Sequence, residues 1–277
     1  NHAPGDEDLP LNFYYLLPLH KPLPEPKLGD WLHRHEESGQ TFAEYLNSEP
    51  VRADRQRRII YLQLLGDFSE SQQRVVDLTA DYMRAYFQLP VRVRGEFTLD
   101  MIPPEARRIH PVRRKEQILT TYVLEQVLHK RLPRDACAYM ALTASDLWPG
   151  GGANYVFGQA TYRDRVGVYS IHRNGDATEE FDLCLRRTLR VATHETCHMF
   201  SMLHCTRHLC NMCGSNHLEE ADRHPLWLCP HCLAKLCHAT GADPRRRFRA
   251  MSEFLDKVGF EDDAAFMRHS LQSFAHG

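Results

Sequence analysis

No stretch of this chain approaches the roughly 18 consecutive apolar residues needed to cross a bilayer. The longest candidate, Leu11 to Leu19, is strand-sized and runs into proline-rich sequence, so no membrane partner is expected. An excess of one charge is also missing. Thirty-four basic residues face 36 acidic ones for a formal net charge of -2, which gives no global field to attract nucleic acid. The Arg-rich clusters at 52–58, 113–115 and 245–249 each sit among acidic or apolar residues and read as solvated faces. Internal repeats and low-complexity tracts are absent. So is the even spread of cysteines that marks a small secreted disulfide scaffold. The chain begins with Asn1 rather than Met, which is compatible with a removed leader.

What is present is the balance of a globular protein. Of 277 residues, 43% are apolar and 25% charged, enough for one large domain or two small ones with a sizeable core. Residues 1–57 read as a lead-in, with helical turns around Trp31 and Phe42 to Leu46. From Arg58 the pattern sharpens. RIIYLQLL (58–65) has the β-branched and aromatic content of a buried strand. Val75, Val76, Thr79, Tyr82, Met83 and Tyr86 recur at helical spacing behind Ser69 and Ser71. Strands are predicted over 91–97, 137–142, 154–160 and 166–171, and helices over 115–130 and 181–199. The fold class is therefore α/β: a mixed sheet with packed helices, ending in a long helix and filling residues 58–204. A cysteine-rich subdomain with C-terminal helices follows over 205–277.

The long helix ends in HETCHMFSMLHC, residues 194–205. His194 and His198 are four residues apart, about 40° of rotation and roughly 6 Å of rise, so both imidazoles lean over one helix face. This is the H-E-x-x-H zinc pair, with Glu195 in the acid/base position. His204 would lie roughly 15 Å along the axis if the helix continued, so it can share the ion only if the chain reverses after His198. The metzincin pattern uses a glycine for that reversal. Here the residue is Ser201, and a non-glycine residue in the left-handed region costs on the order of 1–2 kcal/mol. On that count a glycine at 201 is expected to stabilise the turn by up to about 1 kcal/mol. Three imidazoles leave zinc one open position, the mark of a catalytic rather than a structural site. Zinc there would activate a water for peptide-bond hydrolysis, with Glu195 as general base and then acid.

Nine cysteines are present, and six of them fall between 205 and 237. Clustering beside histidines points to metal binding in a reducing compartment, the cytoplasm or nucleus. By spacing alone, Cys210-x2-Cys213 and Cys229-x2-Cys232 form a zinc-ribbon pattern, while Cys205 competes with Cys213 for one place. HETCHMFSMLHC, CNMCG and LCPHC, in that order and spacing, resemble the archaemetzincins, a metzincin-like family of zinc metallopeptidases. The resemblance spans roughly residues 58–240. It implies two zinc ions, a catalytic one on His194, His198 and His204 and a structural one on Cys205, Cys210, Cys229 and Cys232. It implies that Met212 is the Met-turn residue beneath the active site. Gly214, two residues later, supplies no tyrosine ligand. It also implies that Asn154, Tyr155, Val156, Phe157 and Gly158 form the sheet edge on which an extended peptide substrate lies.

The function expected is thus a zinc metallopeptidase acting on a peptide or protein, as an aminopeptidase or on short peptides. The alternative is a catalytically weak, zinc-stabilised interaction module. Glu195 argues against that, since a purely structural ion has no use for a carboxylate beside it. Nucleic-acid binding through a ribbon would need a basic aromatic face, and Trp227 is the only large aromatic residue between 205 and 240.

Overall fold

The computed structural model describes residues 8–275, and the chain divides into two compact units. A sheet unit comprises residues 53–84 and 89–200. A cysteine unit comprises the described residues up to 52, residues 85–88 and the described residues from 201 onward. Among the described residues no helix is long and apolar enough to cross a membrane.

The sheet unit holds eight strands: β1 (Ile59–Leu65), β2 (Val91–Phe97), β3 (Arg107–Ile109), β4 (Glu116–Leu119), β5 (Ala136–Thr143), β6 (Asp146–Trp148), β7 (Gly158–Ala160) and β8 (Val166–Ser170). Five of them form a sheet in the order β2-β1-β5-β8-β7, parallel except for β7, which runs antiparallel to β8 at the edge. β1 and β5 are buried along their whole length, as central strands covered on both faces must be. Ile59, Tyr61, Leu65, Tyr139, Ala141, Val166 and Val168 share one apolar cluster with Val123, Leu124, Val127 and Leu128. The helix Phe181–Met199 packs on β7, β8 and β5. Gly158 pairs with Tyr169 and approaches Glu195, so this helix lies on the Tyr169 face, opposite the face of Val168.

Two sequence expectations need correction. Residues 115–130 are not one helix. Glu116–Leu119 is β4, pairing antiparallel with β3 and parallel with β6 in a separate three-stranded sheet. Thr120–Tyr122, a π-helical turn at Val123–Leu128 and a 3-10 turn at His129–Arg131 follow. Ile118 and Tyr122 fit a helical period, but strand pairing decided the conformation of the first, and that partner lies about 30 residues away. Residues 154–160 are likewise not one strand, since β7 covers only 158–160. The Asn154 carbonyl instead accepts from Arg108 Nη2 (2.8 Å) and Gln117 Nε2 (3.0 Å), and Val156 makes a lone bridge to Leu147.

That loop is held by a buried ion pair. Arg173 donates to both Asp146 oxygens (Nε–Oδ1 2.7 Å, Nη2–Oδ2 2.6 Å), and Gln117 Nε2 adds a third bond to Oδ2 at 3.0 Å. The same guanidinium lies 3.7 Å from the centroid of the Tyr155 ring. Opposite charges, a bidentate fork and a π-face together satisfy a cation that is 8% exposed.

In the cysteine unit, residues 21–23 run beside 207–209, with Leu23 N–H donating to the Arg207 carbonyl (2.9 Å) and Leu209 N–H to that of Lys21 (3.0 Å). Phe42–Asn47 starts with a capping box between Thr41 and Glu44. Pro230–Thr240 begins on Cys229 and ends on Gly241 in the left-handed region (φ +71°). Pro244–Lys257 and Glu261–Ala275 pack against each other as a pair.

Stripping the carboxylate from Asp146 would leave Arg173 buried without its counter-charge. Asp146→Ala is expected to lower the unfolding free energy by about 3–5 kcal/mol, read as a lower urea midpoint with an unchanged slope. A midpoint within experimental error of the parent's would show that the pair does not hold this loop.

Candidate metal centres and active site

From Thr188 to Met199 every residue of the long helix is buried, although six of the twelve are Thr, His or Glu and one is Arg. The threonines satisfy themselves: Thr193 Oγ1 donates to the Leu189 carbonyl (2.8 Å) and Thr196 Oγ1 to that of Ala192 (2.7 Å). The two histidines face each other. Their Nε2 atoms meet at 3.0 Å, with the rings nearly perpendicular at 87°. Zinc–nitrogen bonds of about 2.0–2.1 Å in a tetrahedron put neighbouring nitrogens about 3.3 Å apart, so this pair fits such an ion closely.

Glu195 follows His194 and is 8% exposed. Burial pushes its carboxyl up to about 8, with the Arg190 guanidinium pulling the other way. β7 passes directly over it. A Cβ at Gly158 would lie 2.7–2.8 Å from Cγ, Cδ and Oε1 of Glu195. Glycine is thus the residue that lets the edge strand approach the Glu195 carboxyl. The other edge residues are arranged less simply. Ser170 N–H donates to the Phe157 carbonyl (3.0 Å), Tyr155 and Phe157 meet edge to face at 5.5 Å, and Asn154 is turned into the loop. Tyr162 was not singled out in the sequence. Its ring packs edge-on against His198 at 5.2 Å while remaining 44% exposed. Nothing in its local pattern marks it, because the loop between β7 and β8 alone brings it there.

In the cysteine unit the turn after the helix answers the question raised by Ser201. Its φ is +64°, the left-handed conformation that glycine usually fills at a helix end. The side chain is not idle. Its Oγ accepts from the Val51 N–H (3.1 Å), and its carbonyl accepts from Gln40 Nε2 (3.4 Å). Gln40 Oε1 accepts from Leu203 N–H (3.2 Å), so the segment 40–51 straps the turn. Three residues beyond Ser201, His204 Nδ1 lies 3.0 Å from each oxygen of Glu37.

Cys205, Cys210, Cys229 and Cys232 are all buried and unoxidised, with their Sγ atoms within 4.8 Å of one another. The Cys205–Cys229 separation is 3.7 Å. A tetrahedron of about 2.3 Å zinc–sulfur bonds has an edge near 3.8 Å. Burial pushes the Cys210 and Cys229 thiols well up, so a cation that displaced their protons would remove a cost of folding. Cys213 is not among these four, but its thiol is hydrogen-bonded to Cys205 and donates to the His208 carbonyl at 3.3 Å. Met212 is fully buried, and its carbonyl accepts from Cys205 N–H at 2.8 Å. A third set, Asp30, His217 and Glu220, is occupied by protein partners: Arg223 Nη2 on Asp30 (2.6 Å), and the N–H groups of Trp31 and Asn216 on Glu220.

The turn makes a test of its own. Ser201→Ala keeps the strained conformation and orphans the Val51 N–H, so it should cost about 1–3 kcal/mol. Ser201→Gly relieves the strain but loses the same bond, and should stay within about 1 kcal/mol of the parent. A Ser201→Ala midpoint equal to the parent's would show that the hydroxyl contributes nothing, and equal midpoints for the two variants that relief of the left-handed strain contributes nothing.

Comparison with known proteins shows what the chain as a whole is similar to. The family model described as Peptidase family M54 matches residues 124–238. Archaemetzincin-2 of Pongo abelii is 31% identical, over 92% of this chain and 78% of its own length. Archaemetzincin-2 of Homo sapiens is 31% identical, over 91% and 77%. Among solved structures, archaemetzincin from Methanopyrus kandleri superposes with a TM-score of 0.56 at 26% identity, covering 68% of this chain and 98% of that one. Archaemetzincin from Archaeoglobus fulgidus gives 0.51 at 25%, covering 64% and 99%. The chain belongs to the archaemetzincins, peptidase family M54, a family of zinc metallopeptidases.

Proposed function

We propose that the catalytic zinc is held by His194, His198 and His204, that Glu195 moves the proton, and that a second, structural zinc sits on Cys205, Cys210, Cys229 and Cys232. The observation that carries this reading is the 3.0 Å approach of the two Nε2 atoms on a buried helix, with a buried carboxylate next in line. When bound, zinc supplies a Lewis acid that polarises the scissile carbonyl and makes water a better nucleophile. Glu195 takes the proton from that water and delivers it to the leaving amine. Its burial next to the two imidazoles places it for both halves of that task.

The substrate lies extended along β7, on the side away from β8, exchanging backbone hydrogen bonds with the unpaired edge. Gly158 lets it come close to Glu195, and Tyr155, Val156 and Phe157 line the approach, with Asn154 fixing the loop. The paired part of this edge is only three residues long. So short a ladder favours short peptides and cleavage near a chain end, as an aminopeptidase makes, over long unfolded substrates. Met212 acts as the Met-turn residue, and its backbone bond to Cys205 ties it to the residue after His204.

Glu195→Gln is expected to keep both zinc ions and lose peptide hydrolysis by a factor of at least about 100, measured as turnover and metal content on one preparation. Turnover at the parent's level would remove Glu195 from the mechanism.

The two cysteine sets are separable by metal counting. Cys205→Ser should lose one zinc and several kcal/mol of stability, while Cys213→Ser should keep two. The reverse result would move the structural ion to the ribbon spacing.

A further inference from the structure

The third histidine is held by a residue from far upstream. Glu37 lies outside residues 124–238, the part of the chain matched by the family model, and 167 positions before His204. Its two oxygens are each 3.0 Å from His204 Nδ1. Glu37 is itself fixed, since Trp31 Nε1–H donates to its Oε1 at 2.9 Å. Trp31 is fixed in turn. Its backbone N–H donates to Glu220 (2.9 and 3.0 Å), and its ring lies edge-on to His204 at 5.2 Å and against His35 at 4.1 Å. The ring also occupies the space where a side chain at 214 would stand, so Gly214 makes room for it.

A neutral imidazole has one nitrogen that donates and one that accepts. A carboxylate cannot donate, so the nitrogen facing Glu37 is the N–H, and the lone pair is on Nε2. That matches the pair on the helix, whose Nε2 atoms face each other. Without Glu37, His204 could take the other tautomer, and its Nδ1 would lose both carboxylate contacts. Carboxylate partners of this kind orient metal-binding histidines and strengthen their lone pairs.

We propose that Glu37 is a positioning residue for the catalytic metal: by accepting from His204 Nδ1–H it fixes the tautomer and aim of that imidazole, and Trp31 and Glu220 hold it in register. The proposal rests on the reading of His204 as the third ligand. It makes the upstream segment part of the metal site rather than a lead-in to it.

The test is the affinity of the imidazole site, read apart from the four-cysteine site. Release of the first zinc to a competing chelator, with the thiolate-bound ion retained, follows the imidazole site; after cobalt replaces zinc, the nitrogen-ligand d–d bands lie at shorter wavelength than those of the four-thiolate site and are read apart from them. Thiolate-to-cobalt charge-transfer bands report the cysteines. Glu37→Ala should weaken zinc at the imidazole site by about 10- to 100-fold and alter its d–d bands, leaving the thiolate bands and their ion unchanged. Glu37→Gln keeps the shape and an acceptor, so its affinity should fall between those of Glu37→Ala and the parent. If Glu37→Ala does not fold, Glu37→Gln carries the comparison alone, and a weaker affinity with shifted d–d bands supports the proposal. Parent-like release and bands in the folded Glu37 variants, while His204→Ala loses the ion, would overturn it and leave the three-histidine reading intact. Retention of the ion in His204→Ala would instead overturn that reading, and this proposal with it.

Discussion

Two imidazole nitrogens 3.0 Å apart in a buried stretch of helix cannot both be protonated, and both cannot offer lone pairs to the gap unless something positive or a shared proton lies between them. The rest of the sheet unit is arranged around that constraint. The helix must be buried to exclude water, so its threonines turn back onto their own carbonyls. Glu195 must be buried beside the pair, which drives its carboxyl upward. The edge strand must approach that carboxyl, which only a glycine at 158 permits. Each of these is a cost in a small protein core. Together they gather polar groups in a buried place, which is the observation behind the proposed cation and substrate site.

The cysteine unit meets a related problem by other means. Four buried thiols have no apolar reason to gather, and burial alone disfavours their charged forms. A cation with four sulfur ligands, as proposed above, would reverse that penalty and close the loops between 205 and 232. The short backbone contacts from Cys205 to Met212 and from Asn211 to Trp227 then lock the turn that follows the histidines. The upstream residues contribute more than their irregular sequence suggests. Gln40 and Val51 bind Ser201, Glu37 binds His204, and the Lys235 ammonium donates to the Gln40 carbonyl. The serine where a glycine is usual is therefore not simple strain. Part of its cost is offset by a hydrogen bond that glycine could not make.

Much of this was legible in order and spacing. The helix Phe181–Met199 could be read from its period, and β1, β2, β5 and β8 from runs of β-branched and aromatic residues. What failed was short and polar. β4 was read as helix because Ile118 and Tyr122 fit both periods over so few residues, and β7 was overextended because its first residues are pinned by Arg108 and Gln117 rather than by a neighbouring strand. The sheet of β3, β4 and β6 was not foreseen, since each strand has only three or four residues and none carries a full alternating pattern.

The sequence by itself determined which atoms of the helix can meet. A spacing of four residues at 3.6 per turn places His194 and His198 on one face whatever surrounds them, with Glu195 beside them. It also determined the family, because that relation is carried by residue types in order. Only the tertiary structure decided what stands against those atoms: Gly158 against Glu195, Tyr162 against His198, and Glu37 against His204. The reason is physical. A helix fixes the geometry of residues three and four apart through its own backbone. Contacts between segments tens or hundreds of residues apart depend on the packing of the whole unit, which no local spacing encodes.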